Sequence, residues 1–418
     1  MKIKDKIIVT KKEDKPLDLL DARGYQVKLK CLGENAADTK INIRYLGAVK
    51  SESKTREYRN DKYTVSYIEN ATANGEYTKT VRDPGITISG LKLIIGTDRD
   101  TDLDITLCGE LNDRIHLSAG EDVEKIYDVT ALCREEKEKL TQIHRILYKL
   151  LSEIDRVCME NDIQYFLVFG GLLGYLRHGE IIPWDDDVDI AMTRENFEKF
   201  KRIANEKLSD GFKCLDAGEL GEDAFLDFLC RVFYMKENVE YDALDKVKGK
   251  VPEEYLNKIP MDIYILDKAS DLKFLHKIHM FLIRAVYGLG MGHRAYLNMD
   301  EYGNSGFVTQ KGIMILSRIG SKMKLKTIMR LHDRVSMLYS KRKTRNYFMS
   351  NGYLPFIHTK YVCRWFEGTK RVKLGNVTTN VPCRYRLYLK RAYYDYYHLP
   401  PVEKRIPGHM CLKKKKGK

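Results

Sequence analysis

The sequence predicts an α/β domain preceded by a small all-β sandwich, and three observations carry that prediction. Short runs of alternating apolar and polar residues fill the first 120 positions, the pattern of strands with one buried face. Near Thr130 the period changes: Leu140, Ile143, Leu147, Leu150, Ile154 and Val157 fall on one side of a helix reaching Asn161. Behind that helix a strand, a glycine turn, a helix, a second strand and a second helix follow one another, the alternation of an α/β core.

In the N-terminal part, the runs Tyr25 to Cys31, Ile41 to Tyr45, Tyr63 to Ile68, Ile86 to Ile95 and Leu103 to Cys108 are separated by Gly, Asn and Asp turns, so residues 1–120 read as an antiparallel sandwich. The long helix opens a second domain over residues 130–408. Gln164 to Phe169 reads as a buried strand that runs into Gly170-Gly171, and Asp189 to Met192 as a second strand. Thr193 can then cap a helix carrying Phe197, Phe200, Ile203 and Leu208. Residues 270–350 are helical in pattern and strongly basic, which suits a cover for the sheet. Residues 409–418 read as a basic tail that ends in the lysine run Lys413 to Lys418.

With 43% hydrophobic and 32% charged residues, the chain has the composition of a folded globular protein. A formal net charge of +14 predicts attraction to polyanions: nucleic acid, an anionic membrane face or a phosphate-bearing substrate. Charge does not choose among these. The tyrosines are dispersed and no nucleic-acid-reading motif is present, so nucleic acid is the weaker partner. Nine cysteines, none in a CxxC pair, favour reduced buried thiols and a cytoplasmic home. The longest apolar stretch, Met280 to Met291, is broken by Arg284 and is too short to span a bilayer.

The chemistry centres on Trp184-Asp185-Asp186-Asp187-Val188-Asp189. On an extended backbone of period two, Asp187 and Asp189 share a face, and Asp185 can share it too. Carboxylates so close raise one another's pKa unless a cation neutralises them, and hard oxygen donors suit Mg²⁺ or Mn²⁺. An isolated acidic triplet reads equally as a solvated loop or a helix cap; the apolar flanks Ile181-Ile182 and Val188-Asp189-Ile190 mark a strand entering a core instead. Gly170-Gly171 permits close backbone approach to an anion. Asp262, embedded in Pro260 to Ile265, is a further carboxylate whose burial is costly unless it is paired or metal-bound.

Phe169-Gly170-Gly171-Leu172-Leu173-Gly174-Tyr175-Leu176-Arg177-His178-Gly179, continued by Ile182-Pro183-Trp184-Asp185-Asp186-Asp187-Val188-Asp189-Ile190, closely resembles the signature of the LicD family. Tyr393 to Arg405, with Leu399-Pro400-Pro401, resembles that family's C-terminal ending, although Tyr394 stands where the family often has glycine. The resemblance covers residues 130–408, loosely in the middle, and leaves the N-terminal strands outside. It implies a nucleotidyltransferase-type fold and an enzyme that moves an alcohol phosphate, commonly phosphocholine, from a CDP-activated alcohol donor to a glycan or lipid-linked glycan acceptor. Lipopolysaccharide and teichoic acid precursors are acceptors of that kind.

Carried over by residue, the resemblance implies Asp187, Asp189 and Asp262 as metal ligands, with Asp185 in or beside the same shell. Gly170 and Gly171 would face the donor's phosphates, with Arg177 pairing the diphosphate. Trp184, Tyr175, Tyr361 and Trp365 are candidate surfaces for a quaternary ammonium. CMP would leave as the acceptor hydroxyl attacks, with Asp262 a candidate base. Two other readings stay open: nucleotidyl transfer with pyrophosphate release, and a glycan-binding protein without activity. The expected location is cytoplasmic, with the lysine tail and the basic middle region giving peripheral contact with the anionic inner face of the membrane.

Overall fold

The computed structural model describes residues 17–18, 25–50, 66–81, 87–107, 110–117, 132–216, 218–221, 224–241, 244, 250–294, 307–354, 356–393, 396, 400 and 404–410. The chain forms two compact units. One comprises Met1–Ala131, Leu173–Pro183 and Tyr393–Arg405; the other comprises Leu132–Leu172, Trp184–Ala392 and Ile406–Lys418.

In the first unit, β1 (Leu17–Asp18), β6 (Thr87–Thr97), β3 (Lys40–Lys50) and β4 (Ser66–Asn74) form one four-stranded sheet, in that order. A second sheet runs β5 (Glu76–Val81), β2 (Tyr25–Leu32), β7 (Thr101–Leu107) and β8 (Glu110–Leu117). Every pairing in both is antiparallel. The alternation that predicts β2 is realised in space: Val27, Leu29 and Cys31 are buried while Lys28 and Lys30 face water. Tyr63, at the start of one expected strand, and Cys108, at the end of another, lie outside the described residues.

The second unit opens with α1 (Arg134–Glu160), whose predicted apolar face is buried from Leu140 to Val157. It begins at Arg134 because Cys133 occupies the cap position, its backbone N–H donating to the Glu136 carboxylate at 2.9 Å. The helix packs beside a mixed sheet in the order β11 (Phe212–Leu215), β12 (Cys230–Tyr234), β13 (Pro260–Ala269), β10 (Asp189–Thr193) and β9 (Phe166–Val168). β13 runs parallel to β10 and antiparallel to β12. Its C-terminal half pairs with β14 (Asn346–Met349), which in turn pairs with β15 (Tyr361–Val362). The expected mixed helix-and-sheet architecture is present.

Local signals placed several boundaries. Thr193 caps α3 (Arg194–Lys207) by accepting from the Asn196 N–H. The glycine pair departs from expectation: Gly170 and Gly171 form the first turn of α2 (Phe169–His178) and not a separate loop. Phe169, with φ of +44°, takes the left-handed conformation that makes this abrupt strand-to-helix corner. A bulky residue there is strained, and its ring is held against Tyr264 at 5.0 Å and Tyr388 at 6.1 Å between centroids. Residues 273–336 supply α4 (Lys273–Gly290), α5 (Phe307–Gly320) and α6 (Leu325–Ser336). The inner side of α4 buries Met280 and Ile283 with Ala269 and Phe348 of the sheet, so this basic stretch does cover it. A hairpin, β16 (Thr369–Leu374) and β17 (Val377–Pro382), and α7 (Tyr385–Tyr393) follow. Among the described residues every cysteine is a free thiol.

Arg194 fixes the corner where β10 becomes α3. Its guanidinium grips buried Asp267 of β13 through Nε at 3.0 Å and Nη2 at 2.6 Å, and reaches Asp333 of α6 at 3.1 Å. Removing one partner of such a pair strands the other charge, so Arg194→Met is expected to lower stability by about 3–5 kcal/mol, read from urea denaturation midpoints. His332 of α6 is buried and stacked on Phe228 at 3.8 Å. Burial pushes its imidazole down to about 4 from the usual 6.5. Between those values the unfolded chain binds the extra proton, so stability falls as pH drops through that window. Denaturation at pH 7 and pH 5 is expected to show the loss, and His332→Gln to flatten it.

Candidate active site

From Asp185 to Ile190, beyond the turn at Pro183 and Trp184, the chain alternates in burial. Asp186, Val188 and Ile190 point inward, and Asp185, Asp187 and Asp189 are half-buried on the other side. Period two therefore divides the acidic run between two faces: three carboxylates share one, and Asp186 takes the opposite one.

The sheet then brings in the rest. Asp189 of β10 pairs with Asp262 of β13, and Asp262 pairs with Arg231 of β12, so these three side chains stand in one row across the central strands. Arg231 is buried and holds Asp227 in a two-pronged contact at 3.0 and 2.6 Å. Its Nε lies 3.0 Å from Asp262 Oδ1. That approach is an ion pair without hydrogen-bond geometry, leaving Oδ1 buried with no hydrogen-bond partner.

Crowding and desolvation act on all four carboxyls. Burial, then the neighbouring Asp187 and Asp186, drive Asp185 well above the carboxylate range. Burial, Asp187 and Asp262 do the same to Asp189. Asp187 is raised by burial against the pull of His409, and Asp262 is pushed up to about 6 by burial against the pull of Arg231. Buried anions that repel one another need a cation; Arg231 supplies one positive charge at one end of the row. Tyr264, two residues beyond Asp262 on the same face, has its phenol raised by burial and by Asp189.

Gly170 sits directly against this cluster. A Cβ there would run into Asp185 Oδ2, with Asp187 Oδ1 3.9 Å away, so the position needs a residue without a side chain. Gly171 has a different neighbourhood: its Cβ would meet Leu167 at 2.8 Å and Val188 at 3.1 Å, so this glycine permits close packing of helix on sheet. Trp184, in the turn that precedes the run, is buried. Arg177 is buried as well, and its Nε donates to the Tyr396 carbonyl at 2.7 Å, a bracing contact. Tyr361 is buried and stacked on Tyr388 at 5.2 Å. Tyr394, Leu399 and Pro401 of the C-terminal motif lie outside the described residues, as does the lysine run.

Asp186 performs a task that sequence reasoning missed. Its Oδ1 accepts from the Gly408 N–H at 2.9 Å, and its Oδ2 accepts from those of His409, at 2.8 Å, and Met410. Tyr241 completes the anchor, donating to the Asp186 carbonyl at 3.0 Å and bridging to Met410. The segment so tied brings His409 Nε2 to 3.8 Å from Asp187 Oδ2. Of these missed residues only Arg231 had a local signal, a cation inside the apolar run Leu229 to Phe233.

Among the described residues, no three His, Cys, Asp or Glu side chains converge as a ready-made ligand set. The donor chemistry nevertheless fits a hard cation: oxygen donors in excess, carboxyls raised by burial and by one another's charge, and a buried Asp262 Oδ1 that accepts no hydrogen bond.

A family model described as LicD/FKTN/FKRP, nucleotidyltransferase domain, matches residues 162–251. The likeness to that family's domain is thus confined to residues 162–251 of the chain. The matched residues contain the glycines, the acidic run, Arg231 and Tyr241, and end before Asp262 and His409. The chain is also similar to the lipopolysaccharide cholinephosphotransferase LicD of Haemophilus influenzae, 23% identical over 290 residues that cover 66% of this chain and 97% of that protein. Two uncharacterised proteins match over short stretches. One, from Rickettsia typhi, is 40% identical over 57 residues, 14% of this chain and 18% of its own length; the other, from Rickettsia prowazekii, is 42% identical over 50 residues, 12% and 19%.

Asp186→Ala strips the backbone amides of Gly408, His409 and Met410 of their acceptor, at a cost of about 1–3 kcal/mol. Amide exchange at Gly408 to Met410 is expected to accelerate at least tenfold, while exchange in α1 stays unchanged.

Proposed function

We propose that the protein transfers an alcohol phosphate, phosphocholine from CDP-choline in the first instance, to a hydroxyl of a glycan or lipid-linked glycan, releasing CMP. The observation that carries this reading is the row of Asp189, Asp262 and Arg231 beside Asp187. A cluster of repelling carboxylates, one of them oriented by a buried Arg, would hold a divalent cation that offsets the charge of a polyanionic transition state. The similarity to a lipopolysaccharide cholinephosphotransferase supports the choice of transferred group and acceptor class.

In this reading Asp187, Asp189 and Asp262 hold Mg²⁺ or Mn²⁺, with Asp185 beside them. When bound, such an ion neutralises charge on the transferring phosphate oxygens. The protein's own groups do the remainder. Gly170 leaves the approach to the carboxylates open, and Arg231 fixes Asp262. The acceptor hydroxyl attacks the phosphorus bearing the alcohol, the bond to CMP breaks, and Asp262 takes the hydroxyl proton in our assignment. Trp184, Arg177 and Gly171 have packing roles instead of donor contacts. The antiparallel strands before Ala131 are read as an accessory all-β domain.

The test is product analysis. Purified protein is incubated with Mg²⁺ and, separately, CDP-choline, CDP-ribitol, CDP-glycerol and CTP, with and without glycan acceptor. CMP from one CDP-alcohol is expected, reduced at least a hundredfold by Asp187→Asn; pyrophosphate from CTP would instead establish nucleotidyl transfer. Arg231→Met is expected to lower kcat at least tenfold without a comparable change in KM, because it disorients Asp262 and leaves the cluster more negative. EDTA is expected to abolish turnover and added Mg²⁺ to restore it.

A further inference from the structure

One stripe of α4 is apolar and exposed where a helix on a protein surface ordinarily carries polar side chains. Phe274 is 73% exposed and Phe281 68%, with Leu275, Ile278 and Leu282 completing the i, i+4, i+7 pattern. The opposite side of the same helix is already spoken for, by the sheet residues Ala269 and Phe348. α4 is therefore apolar on two sides, and only one of them is covered. α5 continues the exposed surface with Met314, Ile315 (57% exposed) and Ile319 (50%). The two helices approach closely, because Gly320 lies against the Leu289 carbonyl and a Cβ at Gly288 would stand 2.9 Å from Leu316.

The charged side chains of α4 and α5 are all of one sign. Lys273, Lys277 and Arg284 share one line along α4, at the edge of its apolar stripe, and Arg318 and Lys322 lie on and just after α5; all five are exposed. No Asp or Glu occurs between Asp271 and Asp300, or between Glu301 and Asp333. Phenylalanines and aliphatics edged by Lys and Arg are the composition of helices that lie in the plane of a membrane interface. Among the described residues no helix is long and apolar enough to cross a membrane, so the surface suits lying on a bilayer. A second copy docked on this face would set basic residues against basic residues with no acid on either helix to pair them, which disfavours self-association.

We propose that the exposed faces of α4 and α5 dock the protein on an anionic phospholipid bilayer, with Phe274 and Phe281 inserted among the acyl chains and the basic edge against lipid phosphates. This binding function is independent of the reaction assigned above, and its test reads binding and not turnover.

Full-length protein is floated with vesicles of phosphatidylcholine alone or mixed with phosphatidylglycerol. Binding to the mixed vesicles is expected to exceed binding to neutral ones at least tenfold and to weaken as salt rises. Phe274→Ser/Phe281→Ser is expected to reduce it at least tenfold with unchanged circular dichroism, and Lys273→Glu/Lys277→Glu to do so chiefly at low salt. In a Phe281→Trp variant, brominated lipids are expected to quench the indole. Wild-type protein that fails to float would overturn the proposal. So would a double Phe variant that floats like wild type while deletion of Lys413–Lys418 abolishes binding, which would assign attachment to the tail. A wild-type dimer that the double Phe variant turns into a monomer, without vesicle binding, would assign the face to self-association instead.

Discussion

Everything at the candidate site depends on β13 lying between β10 and β12 in a register that sets Asp189 beside Asp262 and Asp262 beside Arg231. A slip of one residue would turn Asp262 to the opposite face and bring Met261 or Ile263 into the row. The register is held by more than strand hydrogen bonds. At the far end of β13, Arg194 clamps Asp267 and so ties the parallel pair at its C-terminal end. Asn351 fills the gap beyond β14, accepting from the Ile265 N–H at 2.8 Å and donating to the Ile263 carbonyl at 2.9 Å. The charged row is thus the consequence of a tightly specified core.

The acidic run shows how one short segment serves two ends. Successive residues of an extended chain face opposite ways, so Asp185, Asp187 and Asp189 crowd together while Asp186 is carried into the interior. Burial, with the neighbouring charges added to it, raises the pKa of the first three. Asp186 is instead satisfied by backbone N–H groups of Gly408, His409 and Met410, and through them it returns a segment more than 200 residues distant to the edge of the site. Asp186, flanked by the ligand candidates Asp185 and Asp187, is a tether in space. The strained corner at Phe169 belongs to the same economy: it lets α2 begin beside the carboxylates, with Gly170 as the point of contact.

Away from the site, α4 and α5 present a different balance. The inner face of α4 completes the core over the sheet, and glycines where α4 and α5 meet let the helices come close. Their outer faces remain apolar and basic. A basic composition suggests an attraction to polyanions, but only the fold shows which basic residues edge an apolar surface.

By itself the sequence determined the features that local periodicity encodes. The buried face of α1, the Thr193 cap, β10 and the shared face of Asp185, Asp187 and Asp189 were all legible, because each depends on neighbours within a turn or a strand. Asp262 was legible as an acid in an apolar run, and the N-terminal strands as alternation. The tertiary structure alone decided that Asp262 meets Asp189, that Arg231 stands at the end of the row, and that His409 returns beside Asp187. It also buried Trp184 and Arg177 and gave Gly170 and Gly171 different neighbours. The physical reason is one of range: strand register and chain return join residues tens to hundreds of positions apart, and no local period carries that information.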